Sequence, residues 1–258
     1  MIILLIIGIL LIAYFAYAKK KLTLDGAIAA IVVGILIVFG FGLNGLAVLG
    51  LFFFSSTIIG SVKSANDGEV VQKGHQRDAI QVLANGGTAA FVALLYSLYP
   101  ADFLLFGFIA SLAAANSDTW ASEIGALSRQ RPYHLVKRQR VSVGTSGAIT
   151  IIGTVAALIG SLVLVGFSQL LWPSISLSVL MLLTMAGFLG NMFDTIIGGI
   201  WQVVYRCSNC GIETERVVHC DERTFQIKGV KWVNNDFVNV GCTIFAAVLG
   251  MVIGWLVL

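Results

Sequence analysis

All sixteen lysines and arginines of this chain fall in four short stretches, and long apolar runs separate those stretches. Lys19, Lys20 and Lys21 form the first, and Lys63, Lys73 and Arg77 the second. Arg129, Arg131, Lys137, Arg138 and Arg140 form the third; Arg206, Arg216, Arg223, Lys228 and Lys231 form the fourth. The intervening connections at Asn44-Gly45, 99–101 and 168–176 hold no basic residue. Such alternation is what the positive-inside rule produces in a chain that crosses a membrane repeatedly. Only helices and closed barrels satisfy their backbone inside lipid, and a barrel would read as short alternating segments. Here the runs are long and continuous, mean hydropathy is +0.93 and charged residues are 11% of the chain. A soluble domain carries about 25%.

The expected fold is therefore all-α: a polytopic membrane protein with about eight transmembrane helices. They fall at 2–18, 26–43, 46–62, 79–98, 102–117, 147–167, 177–200 and 237–258, each able to match a hydrocarbon core of about 30 Å with tilt and flanking residues. The first run lacks a basic leader and is followed by lysines, so it reads as a retained span, although an uncleaved signal anchor would look similar. The whole chain, 1–258, is expected to form a single integral membrane domain of the cell membrane. Both termini lie outside, with cytoplasmic loops at about 19–25, 63–78, 118–146 and 201–236. The net charge of +3 does not signal nucleic acid, because the basic residues serve topology and headgroup contact.

Polar residues converge on the same side. Of the acidic residues only Asp102 is placed outside, whereas Asp78, Asp118, Glu123, Asp194 and Asp236 sit at cytoplasmic ends of spans. An aspartate at the centre of a membrane helix costs about 2.5–3.5 kcal/mol on insertion scales, which makes such residues functional candidates. Asp78, Gln81 and Asn85 share one helical stripe beside Arg77, suited to a water-filled cavity with a guanidinium for phosphate, or else to a polar seam between helices. Asp118 aligns with Ser111, Ala115, Ser122 and Gly125, and it is a candidate Mg²⁺ ligand or a helix-end carboxylate paired with a basic loop. Glu123 lies about 140° from Asp118 on a regular helix, so the two serve one site only if the helix breaks near Trp120 or if they address different groups. Asn191, Asp194, Gly198 and Gln202 form a stripe within roughly 80° of arc, giving a second carboxylate from another helix, unless the glycines there serve only packing.

Arg138 and Arg140 precede Gly144, Thr145, Ser146 and Gly147, which open the sixth expected span. Glycines and hydroxyls at a helix start present free N–H groups to a phosphate, though Thr-Ser-Gly is also an ordinary cap. No Walker A spacing is present. Asn234, Asn235 and Asp236 can cap the last helix or contact a ligand. Cys207 and Cys210, with His219 and Cys220, match a closed zinc site in number, against a reading as free thiols. Cys242 reads as packing, and His75 and His134 as solvated loop residues.

Taken together these motifs resemble one membrane family, which includes plant phytyl-phosphate kinase and the animal protein called transmembrane protein nineteen. The resemblance rests on Arg77-Asp78 with Asn85-Gly86-Gly87, on the block from Ala114 to Gly125, on Gly144-Thr145-Ser146-Gly147, on Gly190-Asn191-Met192-Phe193-Asp194-Thr195, on Cys207 and Cys210, and on Asn234-Asn235. Many relatives have Ser where Thr195 stands. The family is more distantly similar to CTP-dependent polyprenol kinases and lipid cytidylyltransferases, in which an Asp-containing block precedes a basic Gly-Ser segment. The resemblance implies a transferase of lipid metabolism. Its partners would be CTP or another nucleotide and an isoprenyl phosphate, with Mg²⁺ on Asp118 and Asp194 and structural Zn²⁺ as a candidate. The expected reaction is a kinase step that turns an isoprenyl (phytyl-like) monophosphate into the diphosphate. Alternatives are a lipid-phosphate cytidylyltransferase and a transporter or flippase of anionic lipid. Asp118, Glu123, Asp194 and Arg77 are the expected catalytic residues; Asn85, Arg138, Arg140, Gly144, Thr145, Ser146, Gly147, Asn191 and Asn235 are the expected nucleotide and phosphate contacts.

Overall fold

A computed structural model describes residues 2–61 and 76–257. Lys63, Lys73, His75 and most of the expected loop at 63–78 lie outside the described residues. Among those described, seven helices form: α1 (Ile2–Ala18), α2 (Leu24–Ile59), α3 (Ala79–Leu98), α4 (Asp102–Ala126), α5 (Ile151–Leu171), α6 (Leu177–Trp201) and α7 (Asn235–Val257). Five of these, α2, α3, α5, α6 and α7, are long and apolar enough to cross a membrane, and α1 is a shorter apolar helix.

The helices number seven against about eight expected, because the second and third expected spans are two limbs of α2, which breaks between them. A straight helix of its 36 residues would run about 54 Å, far beyond a bilayer core. Gly42 breaks it, with φ 58° and ψ −142°, values open to glycine and closed to most side chains. The limbs fold back on each other, so that Phe53 of the second packs against the same small cluster that holds Ala27 of the first. The turn itself is tied down by Asn44, whose amide donates to the Leu171 carbonyl at the end of α5 (3.1 Å).

Helix α4 is the axis of the bundle, packed by α2, α3, α5, α6 and α7. From Leu104 to Ser117 every residue is buried, as expected of a helix apolar all round. Small residues let its neighbours approach: a Cβ on Gly187 would meet Ala113 Cβ at 2.7 Å, and one on Gly190 would meet Ala114 Cβ at 2.7 Å. In lipid, where apolar burial does not drive association, close contact of this kind and interhelical hydrogen bonds supply the cohesion. Asn116 provides both: it accepts from Ser55 (2.9 Å) and donates to the Gly160 carbonyl (2.8 Å), while Ser117 donates to the Ala157 carbonyl (2.9 Å).

Among the described residues, eight short strands decorate one end of the bundle. β1 (Tyr133–His134), β2 (Gln139–Arg140) and β3 (Ala148–Ile149) form one antiparallel sheet in the order β2-β1-β3. Between α6 and α7, β4 (Val204–Arg206), β5 (Glu213–Thr214) and β8 (Phe225–Lys228) form a second, ordered β5-β4-β8, and β6 (Val218–His219) pairs with β7 (Glu222–Arg223).

Candidate active site

One cavity of about 620 Å³ opens at the end of the bundle where the C-terminus of α4 and the N-terminus of α7 meet. It is built from the sequence-expected residues: Arg77, Asn85, Asp118, Glu123, Gly144, Thr145, Ser146, Gly147, Asn191, Asp194 and Asn235 all line it. These come from four helices, the 144–147 loop and Arg77 just before α3, so no local stretch of sequence contains the site.

Arg77 is placed by backbone bonds. Its N–H donates to the Lys21 carbonyl (3.0 Å), and its carbonyl accepts from Thr23 N–H (3.1 Å), which pins it beside the start of α2. Burial lowers the Arg77 pKa, and the nearby Glu123 carboxylate opposes that shift. Asp78 next to it does not join the cavity. It caps α3, accepting from Gln81 N–H (2.9 Å) while the Gln81 side chain accepts from Asp78 N–H (3.2 Å), a reciprocal capping box. Gln81 and Asn85 remain on the cavity wall.

Asp118 and Asp194 enter from α4 and α6 and lie within electrostatic reach of each other. The amide of Asn239, with its nitrogen turned toward Asp194, donates to that carboxylate at 3.0 Å. Glu123 reaches the same cavity without any break at Trp120, since α4 runs regularly to Ala126. It addresses a different group: its carboxyl sits beside Gly60 at the end of α2 and within the field of Arg77. The polar block on α4 thus divides its labour, with Asn116, Ser117 and Trp120 tying helices together and Asp118 facing the cavity. Trp120 packs its ring on Gly160 and directs its N–H at Ser55 (3.4 Å).

The loop from Gly144 to Gly147 lies on the cavity wall but does not open a helix. Helix α5 begins later, at Ile151, capped by Thr150, whose hydroxyl accepts from Gly153 N–H (3.0 Å). The expected helix-start donors at 144–147 are therefore corrected to loop backbone and the Ser146 hydroxyl. Gly147 (φ 83°) presses on Gly199 of α6, and His134 seals the contact. His134 is buried, not solvated: its Nδ1 accepts from the N–H groups of Val136 and Lys137 (both 3.2 Å). Burial first, then Lys228 and Lys137, lower its pKa.

Arg138 and Arg140 do not reach the cavity. Arg138 is exposed on the β1–β2 turn, and Arg140 is exposed with its guanidinium donating to the Arg131 carbonyl (2.6 Å). The cavity instead takes Lys21 and Arg216, which the charge tally alone could not distinguish from topology signals. Glu215 beside Arg216 also lines it. Burial, with Asp236 adding repulsion and a hydrogen bond from Gln202 opposing, lifts its carboxyl to about 7. Ser146 donates to Gln202 (2.6 Å) and Gln202 donates to Glu215 (2.7 Å), so the loop, α6 and the β5–β6 segment form one relay along the wall. Ser56 contributes a buried hydroxyl with no partner among the described residues. Asn234 caps α7, accepting from Phe237 N–H (2.9 Å).

A smaller cavity of about 120 Å³ lies between α1, α2 and α3, lined by Ile9, Ala13, Val33, Leu49 and Phe53 among others. Arg77, Gln81 and Asn85 line both, so the polar cavity and the apolar groove meet at these three side chains. Away from both, Cys207, Cys210, His219 and Cys220 bring their ligand atoms within 4.8 Å of one another. The Cys210 backbone N–H is the main influence holding the Cys207 thiol down at about 6, and the Cys210 thiol is the main influence raising Cys220 to about 11.

The family model for "Integral membrane protein DUF92" matches residues 7–247. "Uncharacterized membrane protein MJ0933" of Methanocaldococcus jannaschii is 29% identical over 96% of this chain and 94% of its own length. "Protein PGR" of Arabidopsis thaliana is 30% identical over 89% of this chain and 88% of its own. "Protein VTE6, chloroplastic", from the same plant, is 26% identical over 85% of this chain and 61% of its own. No solved structure matches the chain. With a family model covering nearly the whole helical bundle and its site, this chain belongs to the DUF92 family of integral membrane proteins.

Proposed function

We propose that this protein is a CTP-dependent kinase that phosphorylates an isoprenyl (phytyl-like) monophosphate to the diphosphate at the cytoplasmic membrane face. The observation that carries the reading is the junction at Arg77, Gln81 and Asn85, where a polar cavity with carboxylates from two helices meets an apolar groove. A substrate with a hydrocarbon tail and an ionised head needs both surfaces, and a polar metabolite needs only one. The resemblance to phytyl-phosphate kinase and the likeness to VTE6 support the same class.

In this reading Asp118 and Asp194 would hold Mg²⁺. Two carboxylates from different helices, one of them oriented by Asn239, suit an ion that takes one or two carboxylates plus phosphate oxygens and waters. When bound, the ion neutralises charge on the nucleotide phosphates. Arg77 and Arg216 offer guanidinium groups to phosphate oxygens, and the Ser146 hydroxyl and the backbone of the 144–147 loop contribute further donors. Glu123 holds Arg77 in position. A phosphate oxygen of the lipid attacks the γ-phosphorus of CTP, the bond from that phosphorus to the β–γ bridging oxygen breaks, and CDP leaves with the electron pair. The acceptor is already ionised, so positioning and charge stabilisation suffice without a strong base.

The test is purified protein in nanodiscs with γ-labelled CTP, Mg²⁺ and phytyl monophosphate. Labelled lipid diphosphate plus CDP is the expected result. Pyrophosphate plus a CDP-lipid would assign the chain to nucleotidyl transfer instead, and absence of both nucleotide turnover and CTP binding across a lipid panel would leave transport as the surviving reading.

A further inference from the structure

We propose that Cys207, Cys210, His219 and Cys220 bind one structural Zn²⁺ that clamps the β5–β6 segment against the cavity, and so positions Glu215 and Arg216. The assignment does not depend on which reaction the cavity performs. The four ligand atoms lie within 4.8 Å of one another. His219 Nδ1 is 3.4 Å from the Cys210 sulfur and 3.2 Å from the Cys220 sulfur. Zn–S bonds of about 2.3 Å and Zn–N bonds of about 2.0 Å in a tetrahedron place ligand atoms roughly 3.5–3.8 Å apart, so the cluster needs only small adjustments to close on an ion.

The backbone is shaped for this. After Cys207 the chain makes a tight knuckle, in which Gly211 N–H donates to the Cys207 carbonyl and Cys207 N–H donates to the Ile212 carbonyl (both 3.0 Å). Gly211 takes φ 73°, which lets the Cys210 side chain turn back toward Cys207. On the other side Cys220 and Asp221 both adopt left-handed φ, 53° and 61°, in the turn between β6 and β7. A non-glycine residue there is strained by about 1–2 kcal/mol, and metal ligation is a reason to hold Cys220 in that state.

The segment also has little apolar core of its own. Its strands are two to four residues long, and Val217, Val218, Phe225, Ile227 and Val230 are exposed. A loop without its own core is the setting in which a metal supplies folding free energy. Glu215 and Arg216 lie between the two ligand pairs in sequence, five and six residues after Cys210 and four and three before His219. An ion closing the pairs on each other therefore fixes the arc that carries both residues to the cavity wall, where Gln202 receives Glu215.

The experiment uses full-length protein purified without chelator. Elemental analysis is expected to find about one zinc per chain. Cys207, Cys210 and Cys220 are expected to resist maleimide until a chelator strips the metal, and hydrogen exchange at 207–220 should then rise while the bundle helices keep their protection. Replacement by cobalt should give the visible absorption of tetrahedral thiolate cobalt, and the Cys210→Ser, His219→Ala double variant should lose metal and spectrum together. Wild-type protein with metal far below one per chain that also gives no cobalt spectrum overturns the site. So does metal content unchanged in the double variant. Stripping the metal with no change in exchange at 207–220 overturns the clamp.

Discussion

Gly147→Ala tests how the cavity-facing loop is held in place. Two costs add. The residue sits at φ 83°, where a side chain costs about 1–2 kcal/mol against the following carbonyl. The new Cβ would also land on the Gly199 Cα, 2.9 Å from Gly199 N and 3.1 Å from His134 Cε1. Two of these atoms are helix backbone and cannot rotate away, so overpacking adds about 1–3 kcal/mol. The sum, about 2–5 kcal/mol, corresponds to a fall in Tm on the order of 10 °C at about 2–4 °C per kcal/mol. Thermal unfolding in detergent reads this directly, with Gly166→Ala as control, since a Cβ there meets nothing within 4 Å and removes only the helical cost of glycine. Relief of the clash by moving the loop away from α6 should also break the Ser146–Gln202 bond and weaken nucleotide binding. If Gly147→Ala unfolds at the same temperature as Gly166→Ala and binds nucleotide normally, the loop is not fixed by this contact and the argument fails.

Asp118→Asn and Asp194→Asn should each lower phosphotransfer by at least about 100-fold, the scale of losing a major charge-stabilising group, while expression and Tm stay near wild type; normal turnover in either removes that residue from the proposed metal pair. Glu215 supplies a pH prediction with a definite sign. Its folded pKa of about 7 lies above the ordinary 4.5, so the native state binds more protons and stability falls as pH rises from about 4.5 through 7. Glu215→Gln should remove that slope and be the more stable form at pH 8, by up to about 3 kcal/mol in a dry wall and less where cavity water screens it; parallel pH profiles of Tm for the two proteins would count against it. Asn116→Ala should cost about 2–4 kcal/mol, because it removes two buried bonds and leaves the Gly160 carbonyl without its amide partner. Retention of wild-type Tm in that variant would mean α4 is not stapled through this side chain.

The sequence by itself determined the class of the fold, because the hydrocarbon core forces each span to satisfy its own backbone and leaves an unbroken apolar run as its trace. It also singled out Asp118, Asp194 and Asn85, since a polar group in such a run costs enough to stand out against its neighbours, and Arg77 as a cation just before one. It could not separate Asn116 and Ser117 from Asp118, because a buried staple and a ligand-facing carboxylate look alike until the neighbouring helices are present. Tertiary structure alone decided that the turn between the second and third spans is made within α2 at Gly42, that α4 continues past Trp120, and that Arg138 and Arg140 point away. It also brought Lys21, Ser56, Glu215, Arg216 and Asn239 to the cavity. Those five carry no local signal: a basic loop residue reads as topology, and a lone serine in an apolar helix reads as packing. Their roles depend on which of seven helices stand next to one another, which is set by close approach at small residues and by hydrogen bonds between segments far apart in the chain.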